Sequence, residues 1–491
     1  VTNKEPAAET EVPVKTSVQS AGTPRGVSAI RLWLIVQTST QLRRNALAGA
    51  LAAIIGAGIS GISYPVYLHF LGYEQYGIWL SVAIVLSLAD FGNLGLAPAV
   101  ITDVAAEYAR KDLAGIRATV STALLTLTAV GLVALATVLL CGGRIVTFMH
   151  LQPALAVQAR SLLPFVAALS LYTVQIQTLN AVLTGLGRFD LSVGTQLVSR
   201  LVALSTSVAL LFAGVGVFSL PIGQLTGYCF LHIATLKLAR KISHSSCFNY
   251  RAFDVRRLKR LTTFGSGIMS CSLFNLLLGP LNKFALTRYV GPAAVPVYDL
   301  AYTLSMQLRS VFESACRALM PEISRLASLA SAEGMSRVYA AHRRAIKSLV
   351  KLGLPAFALC FLLAGPFLRT WLGTRFRVDL VPAIHILMAG ALLSLIGVPS
   401  YYLLLGLGRV RFVVLTHALQ TCTNAILILL AVALHASLTT SYVSAAAAGG
   451  LAIGSLTAIL AARWNIGQYS SSQPPVVSLA FYRPRSGEAR G

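Results

Sequence analysis

Residues 118–140 read ATVSTALLTLTAVGLVALATVLL, a run with no charged side chain. At 1.5 Å of rise per residue a helix of this run is about 35 Å long, enough to cross the roughly 30 Å hydrocarbon core of a bilayer. Polar and apolar residues do not alternate along it, as they would in the strand of a membrane barrel. The run is therefore read as a transmembrane helix. Working outward with the same ruler gives comparable runs near 46–68, 77–101, 161–183, 192–213, 216–238, 262–284, 296–318, 348–368, 382–405, 411–434 and 441–462. No hydrophilic gap between them exceeds about 35 residues, too short for an inserted soluble domain. Composition agrees: 56% of the residues are hydrophobic and 11% charged, against about 25% charged in soluble domains, and the mean hydropathy is +0.72.

The formal net charge of +24 would suit a nucleic-acid binder, but the Lys and Arg residues sit in short loops between apolar runs, where they encode membrane orientation. With the N-terminus placed in the cytoplasm, 31 of the 40 basic residues fall on the cytoplasmic side and 7 on the outer side, with Arg200 and Arg309 inside spans. The expected arrangement is multi-pass, N-in and C-in, with membrane lipids as neighbours and no nucleic-acid partner. The most basic segment, 237–260, reads as an orientation signal that touches anionic lipid. The first thirty residues lack the apolar core of a signal peptide. The seven cysteines form no Cys-x-x-Cys pair and read as buried small side chains rather than a metal site or a disulfide framework.

Gly185-Leu186-Gly187-Arg188 follows the fourth run and Gly406-Leu407-Gly408-Arg409 the tenth, an offset of 221 residues. Leu71-Gly72 after the first run and Val290-Gly291 after the seventh are offset by 219. Gly142, Gly143 and Arg144 after the third run answer to Gly365, Arg369 and Trp371 after the ninth. A common offset points to duplication. The expected fold is an all-α membrane protein of about twelve transmembrane helices in two homologous six-helix halves, related by a pseudo-twofold axis along the membrane normal. The expected organisation is a disordered cytoplasmic tail (1–40), a first half (41–240), a basic linker (241–261), a second half (262–463) and a cytoplasmic tail (464–491).

The segment Tyr67 to Trp79, YLHFLGYEQYGIW, resembles the first outer loop of the polysaccharide flippases of the multidrug/oligosaccharidyl-lipid/polysaccharide superfamily, in which LG-x-x-x-YG-x-W joins spans 1 and 2. Leu88-Ala89-Asp90-Phe91-Gly92 is similar to that family's D-x-G near the end of span 2. The Gly-Leu-Gly-Arg turn, Val290-Gly291 with Tyr298, and Trp371-Leu372-Gly373 fit in the same order. The resemblance covers about 40–465. It implies a place in a bacterial inner membrane, a MATE-like fold and alternating access through a V-shaped cavity between the halves. It implies a substrate, undecaprenyl-pyrophosphate-linked oligosaccharide, moved from the cytoplasmic to the outer leaflet for O-antigen, capsule or exopolysaccharide synthesis. A polysaccharide polymerase and a chain-length regulator are the partners such a role calls for. This chain departs from the family where many members carry an acid near the outer end of span 7, since that end here reads Gly279-Pro280-Leu281-Asn282-Lys283. A cation-coupled drug or metabolite antiporter of the same superfamily is the alternative. A polymerase or ligase enzyme would show a large outer loop, and none here exceeds about 20 residues, against the 50 or more of a folded domain.

A sugar and a pyrophosphate need a polar slot to cross hydrocarbon, and a charge at mid-bilayer costs on the order of 3 kcal/mol. Polar residues inside spans are therefore the candidates. On span 8, Asp299, Tyr302, Arg309, Glu313 and Arg317 fall within an arc of about 80°; Arg309 either meets substrate or pairs with Glu313. Span 7 carries Ser272, Asn275, Gly279 and Asn282 on one stripe, with Lys283 beyond, and Gly279-Pro280 is expected to kink or break it. Span 5 carries Gln196 and Arg200. Arg200, Arg309, Lys283, Asn275, Asn282, Tyr302 and Gln196 are the substrate candidates, with Arg200 and Arg309 facing pyrophosphate from opposite halves. Asp90, Asp299 and Glu313 are the candidates for ion coupling, although Asp90 also fits a helix cap after a Gly-rich break. His385 and His417 read as packing histidines. No nucleotide motif or nucleophile elbow is present. No enzyme chemistry, metal or cofactor is expected, and proton or sodium coupling stays open.

Overall fold

The computed structural model describes residues 40–87, 95–243, 249, 252–317, 319–328 and 332–471. Among them there is no strand, and thirteen α-helices follow one another: α1 (Thr40–Val82), α2 (Leu96–Ala109), α3 (Leu113–Phe148), α4 (Pro153–Gly185), α5 (Phe189–Phe212), α6 (Ser219–Ser243), α7 (Val255–Tyr289), α8 (Ala294–Cys316), α9 (Leu319–Ser328), α10 (Ala332–Leu372), α11 (Leu380–Gly406), α12 (Val410–Ala433) and α13 (Thr440–Ser471). Exposed Leu140, Phe212, Leu362 and Leu429 form a surface that water would not tolerate and lipid does. The molecule is an all-α membrane protein.

Nine helical stretches of the described residues are long and apolar enough to span, where the sequence reads twelve. Three runs account for the difference. α7 and α8 have the length but carry too many polar side chains to pass as apolar. The 77–101 run is divided by residues 88–94, outside the described set, and α2 starts only after Gly95, held at φ 68°. α1 covers the first run and the start of the second. At Gly72 its backbone takes φ 66°, ψ −176°, a left-handed value that glycine reaches without strain. The Tyr76 ring then lies 6.0 Å from Tyr64's and 5.7 Å from Tyr67's. Twelve residues of straight helix would set Tyr64 and Tyr76 about 18 Å apart, so the chain turns back at Gly72.

The Gly-Leu-Gly-Arg repeats build the same turn twice. Gly187 (φ 77°) and Gly408 (φ 69°) end α4 and α11 in left-handed backbone. Arg188 N then donates to Leu183 O (2.9 Å) and Arg409 N to Leu404 O (2.8 Å), capping the last carbonyls. α7 runs through Pro280 without a break, so of the two outcomes expected at Gly279-Pro280 the break does not occur. In a packed membrane bundle, neighbouring helices restore the bonds that a proline frees. Cysteines also differ from expectation. Of the five described free thiols, Cys316 is buried, Cys141 half-buried, and Cys229, Cys360 and Cys422 exposed. An apolar exterior accepts a small soft side chain as readily as a core does.

Candidate functional site

A cavity of about 660 Å³ lies among α1, α2, α4, α5 and α6. Its wall along α5 runs from Phe189 to Ser207, about 27 Å of helix. α4 presents Gln177 and Asn180 one turn apart, α5 presents Gln196 and Arg200, and α6 presents Gln224 and Tyr228. Gln224 Nε2 donates to the Tyr228 hydroxyl at 2.9 Å. Asn180 is 3% exposed and its Oδ1 has no hydrogen-bond partner. Among the described residues Arg200 makes no ion pair, and it is exposed on the cavity side of α5. α5 and α6 close on each other through Gly223 and Gly227, where an added Cβ would strike α5, and Ser199 Oγ donates to Gly227 O at 2.7 Å. Small residues let membrane helices approach in this way.

A second cavity, of about 400 Å³, lies among α7, α8, α11, α12 and α13. Here the charges are paired: Arg309 Nη1 meets Glu313 Oε2 at 3.0 Å, and the Tyr402 hydroxyl donates to Glu313 Oε1 at 3.2 Å. Asn275, Tyr302, His417 and Gln420 share the wall. Arg200 and Arg309 are thus held in different cavities rather than across one.

Bonds between α1 and the C-terminal helices gather at the Gly72 end. Tyr64 donates to Asp299 at 2.5 Å, and Lys283 Nζ meets the other Asp299 oxygen at 2.6 Å. Ser81 and Thr287 hydroxyls bond at 2.6 Å, Arg375 Nη2 donates to His69 O at 2.8 Å, and Tyr73 donates to Arg375 O at 2.8 Å. Gly77 packs so closely that a Cβ would run into the Pro292 carbonyl. At the opposite end, Arg257 bonds Glu107 and Thr119, and Arg260 Nη2 meets Asp103 at 2.6 Å. The backbone N–H groups of Asn249 and Asp254 donate to Ser121 and Thr122. Part of the basic linker therefore lies on α2 and α3 instead of facing lipid alone.

The candidates from the sequence separate into three groups. Gln196 and Arg200 line the first cavity; Asn275, Tyr302, Arg309 and Glu313 line the second. Lys283, Asn282 and Asp299 line neither. Asn282 is fully buried, donating to the Tyr298 hydroxyl (2.8 Å) and accepting from Asn424 Nδ2 (2.9 Å). Asp90 and the Ser272 side chain lie outside what is described. His385 packs on Phe361 at 3.9 Å between ring centroids. The carboxamides Gln177, Asn180, Gln224 and Gln420 were not singled out by the sequence, and His417, read there as a packing histidine, lines the second cavity. Their signal was an amide or imidazole inside an apolar run.

Comparison with known proteins places this geometry. The family described as polysaccharide biosynthesis protein matches residues 42–327. Curated proteins give no significant match. Among solved structures, an inward-facing multidrug resistance MATE family transporter of the MOP superfamily aligns with a TM-score of 0.66 at 16% identity, over 90% of this chain and 98% of its own. The lipid II flippase MurJ, in an inward closed conformation, aligns with a TM-score of 0.67 at 12% identity, over 85% and 87%. A MOP superfamily transporter from Pyrococcus furiosus aligns with 0.53 at 13% identity, over 89% and all of that chain. At such identities the likeness is one of fold: this chain has a MATE-like fold. The family match spans more than half of the sequence, and the chain belongs to the polysaccharide biosynthesis protein family.

Proposed function

We propose that this family member flips an undecaprenyl-pyrophosphate-linked oligosaccharide from the cytoplasmic to the outer leaflet by alternating access. The observation that carries the reading is the cavity beside α5. Polar and apolar side chains share its wall, the cation Arg200 there makes no ion pair among the described residues, and it runs about 27 Å along α5. A cation in a water-accessible slot suits a pyrophosphate, and the polyprenyl tail needs no slot because lipid already solvates it. Bonds between α1 and α8, α7 and the 371–375 segment close the Gly72 end. We place that end outside and the linker end in the cytoplasm, since the basic loops lie at the linker end. Transport is the whole activity in this reading, with no bound cofactor; a proton or sodium gradient supplies the drive, and a polymerase with its chain-length regulator takes up the product.

Deletion of the gene, with a glycan probe restricted to the outer face of spheroplasts, tests this. The expected result is lipid-linked oligosaccharide that is made but stays on the cytoplasmic leaflet, with export restored by the wild-type gene. A unit that reaches the outer leaflet and polymerises as usual overturns the reading and leaves an antiporter of the same superfamily in its place. A unit that reaches the outer leaflet and is not polymerised points to an enzyme instead.

A further inference from the structure

We infer that the cavity among α1, α2, α4, α5 and α6 is a seat for uncharged sugars, with Arg200 left for the phosphate of the same ligand. The inference rests on the flippase reading and adds to it the class of glycan that fits.

Hydrogen-bond chemistry supports it first. A sugar hydroxyl both donates and accepts. A carboxamide does too, whereas a carboxylate only accepts and a guanidinium only donates. Gln177 and Asn180 from α4, Gln196 from α5 and Gln224 from α6 bring four carboxamides to one space from three helices. Among the described residues that line it there is no Asp or Glu. The Tyr228 ring adds an apolar face of the kind that suits the C–H side of a pyranose.

Asn180 supplies a second, independent sign. Its amide is nearly dry, at 3% exposure, and Oδ1 has no partner. A buried acceptor left unmade is costly, and this one belongs to a side chain that lines the cavity. Asn180 is also held in place, because its Nδ2 leans on the Ser192 carbonyl at 3.4 Å.

Charge gives the exclusion. A uronate beside the pyrophosphate would bring another anion to a wall with a single cation among its described residues, and burying an unpaired carboxylate is strongly unfavourable. The neighbouring cavity offers no relief, since Arg309 there is already neutralised by Glu313 at 3.0 Å. At about 660 Å³ the space is that of one ordinary ligand pocket. It therefore reads the sugars next to the pyrophosphate and not the far end of a long repeat unit.

The test uses the purified full chain in liposomes, with proton and sodium gradients imposed in separate runs. Two polyprenyl-pyrophosphate trisaccharides are compared, one made only of neutral hexoses and N-acetylhexosamines, the other identical except for a hexuronate next to the pyrophosphate-bearing sugar. Translocation is read with a glycosidase added outside. The neutral compound is expected to move at least tenfold faster. Gln196→Leu and Gln224→Leu are expected to shrink that ratio several-fold while thermal unfolding stays within a few degrees of wild type. Equal rates for the two compounds in the wild-type protein, or a faster uronate, overturn the neutral-sugar inference and leave the flippase reading standing. Movement of neither compound under either gradient overturns the flippase reading itself. The wild-type ratio decides the matter even if a leucine variant does not fold.

Discussion

The two cavities are built on equivalent turns and yet spend their charges differently. In the C-terminal helices, cations and acids are consumed in holding the bundle together: Lys283 with Asp299, and Arg309 with Glu313. In the N-terminal helices, the cavity is larger, amides replace the acids, and Arg200 has no ionic partner among the described residues. A paired charge in a membrane interior is scaffolding, because its partner pre-empts any ligand. An unpaired one persists only if something else solvates it, and here that is the cavity. On the proposed function, cohesion falls to one side of the molecule and recognition to the other.

The largest effect that can break this contrast is at Lys283. Lys283→Met leaves Asp299 buried with, among the described residues, the Tyr64 hydroxyl alone, and loss of one member of a buried pair costs about 3–5 kcal/mol. Thermal unfolding in detergent should show it, and Lys283→Met combined with Asp299→Leu should recover most of the loss. A single variant as stable as wild type would remove the claim that these charges are scaffolding. Next comes Arg200→Ala. Hydrogen bonds to charged groups contribute about 1.5–3 kcal/mol, so transport in liposomes should fall about ten- to a hundredfold at unchanged stability. Arg309→Met should do the reverse. Stability should drop by about 1–3 kcal/mol, as Glu313 loses a charged donor, and Glu313→Gln should restore part of it, with transport following the amount of folded protein. The smallest effect sharpens the contrast instead. Gln196→Glu would set an acid one turn before Arg200, and such pairs add only about 0.3–0.5 kcal/mol to a helix. Transport should nevertheless fall, measured in the same liposomes, because the cation is then no longer free.

These differences show which features a sequence displays. Arg200, Arg309, Asp299 and Glu313 stand out because a charge in an apolar run is too expensive to be incidental. The Gly-Leu-Gly-Arg turns stand out because the left-handed position favours glycine. Gln177, Asn180 and Gln224 do not, since an amide is a far smaller perturbation of hydropathy than a charge. Pairing is also hidden where it crosses helices. Arg309–Glu313 is four residues apart on one helix and readable, while the acids that meet Arg257 and Arg260 lie about 150 residues earlier in the chain. α9 is hidden for a different reason: ten residues between two spans look like loop, and only their packing of Ile323 and Leu326 against Leu403 and Leu407 makes them a helix with a purpose.

At Gly77 the backbone of α1 meets the Pro292 carbonyl with no room for a methyl group, and beside it Ser81 and Thr287 are joined at 2.6 Å. Where a methyl does not fit, neither does water, and without water there is no path for an ion. A conduit wide enough for sugars, open to both faces at once, would short-circuit the membrane, and each elementary charge leaking across 100 mV dissipates about 2.3 kcal/mol. The bare Cα of one glycine thus lets two backbones close on each other at this point with no room for water between them.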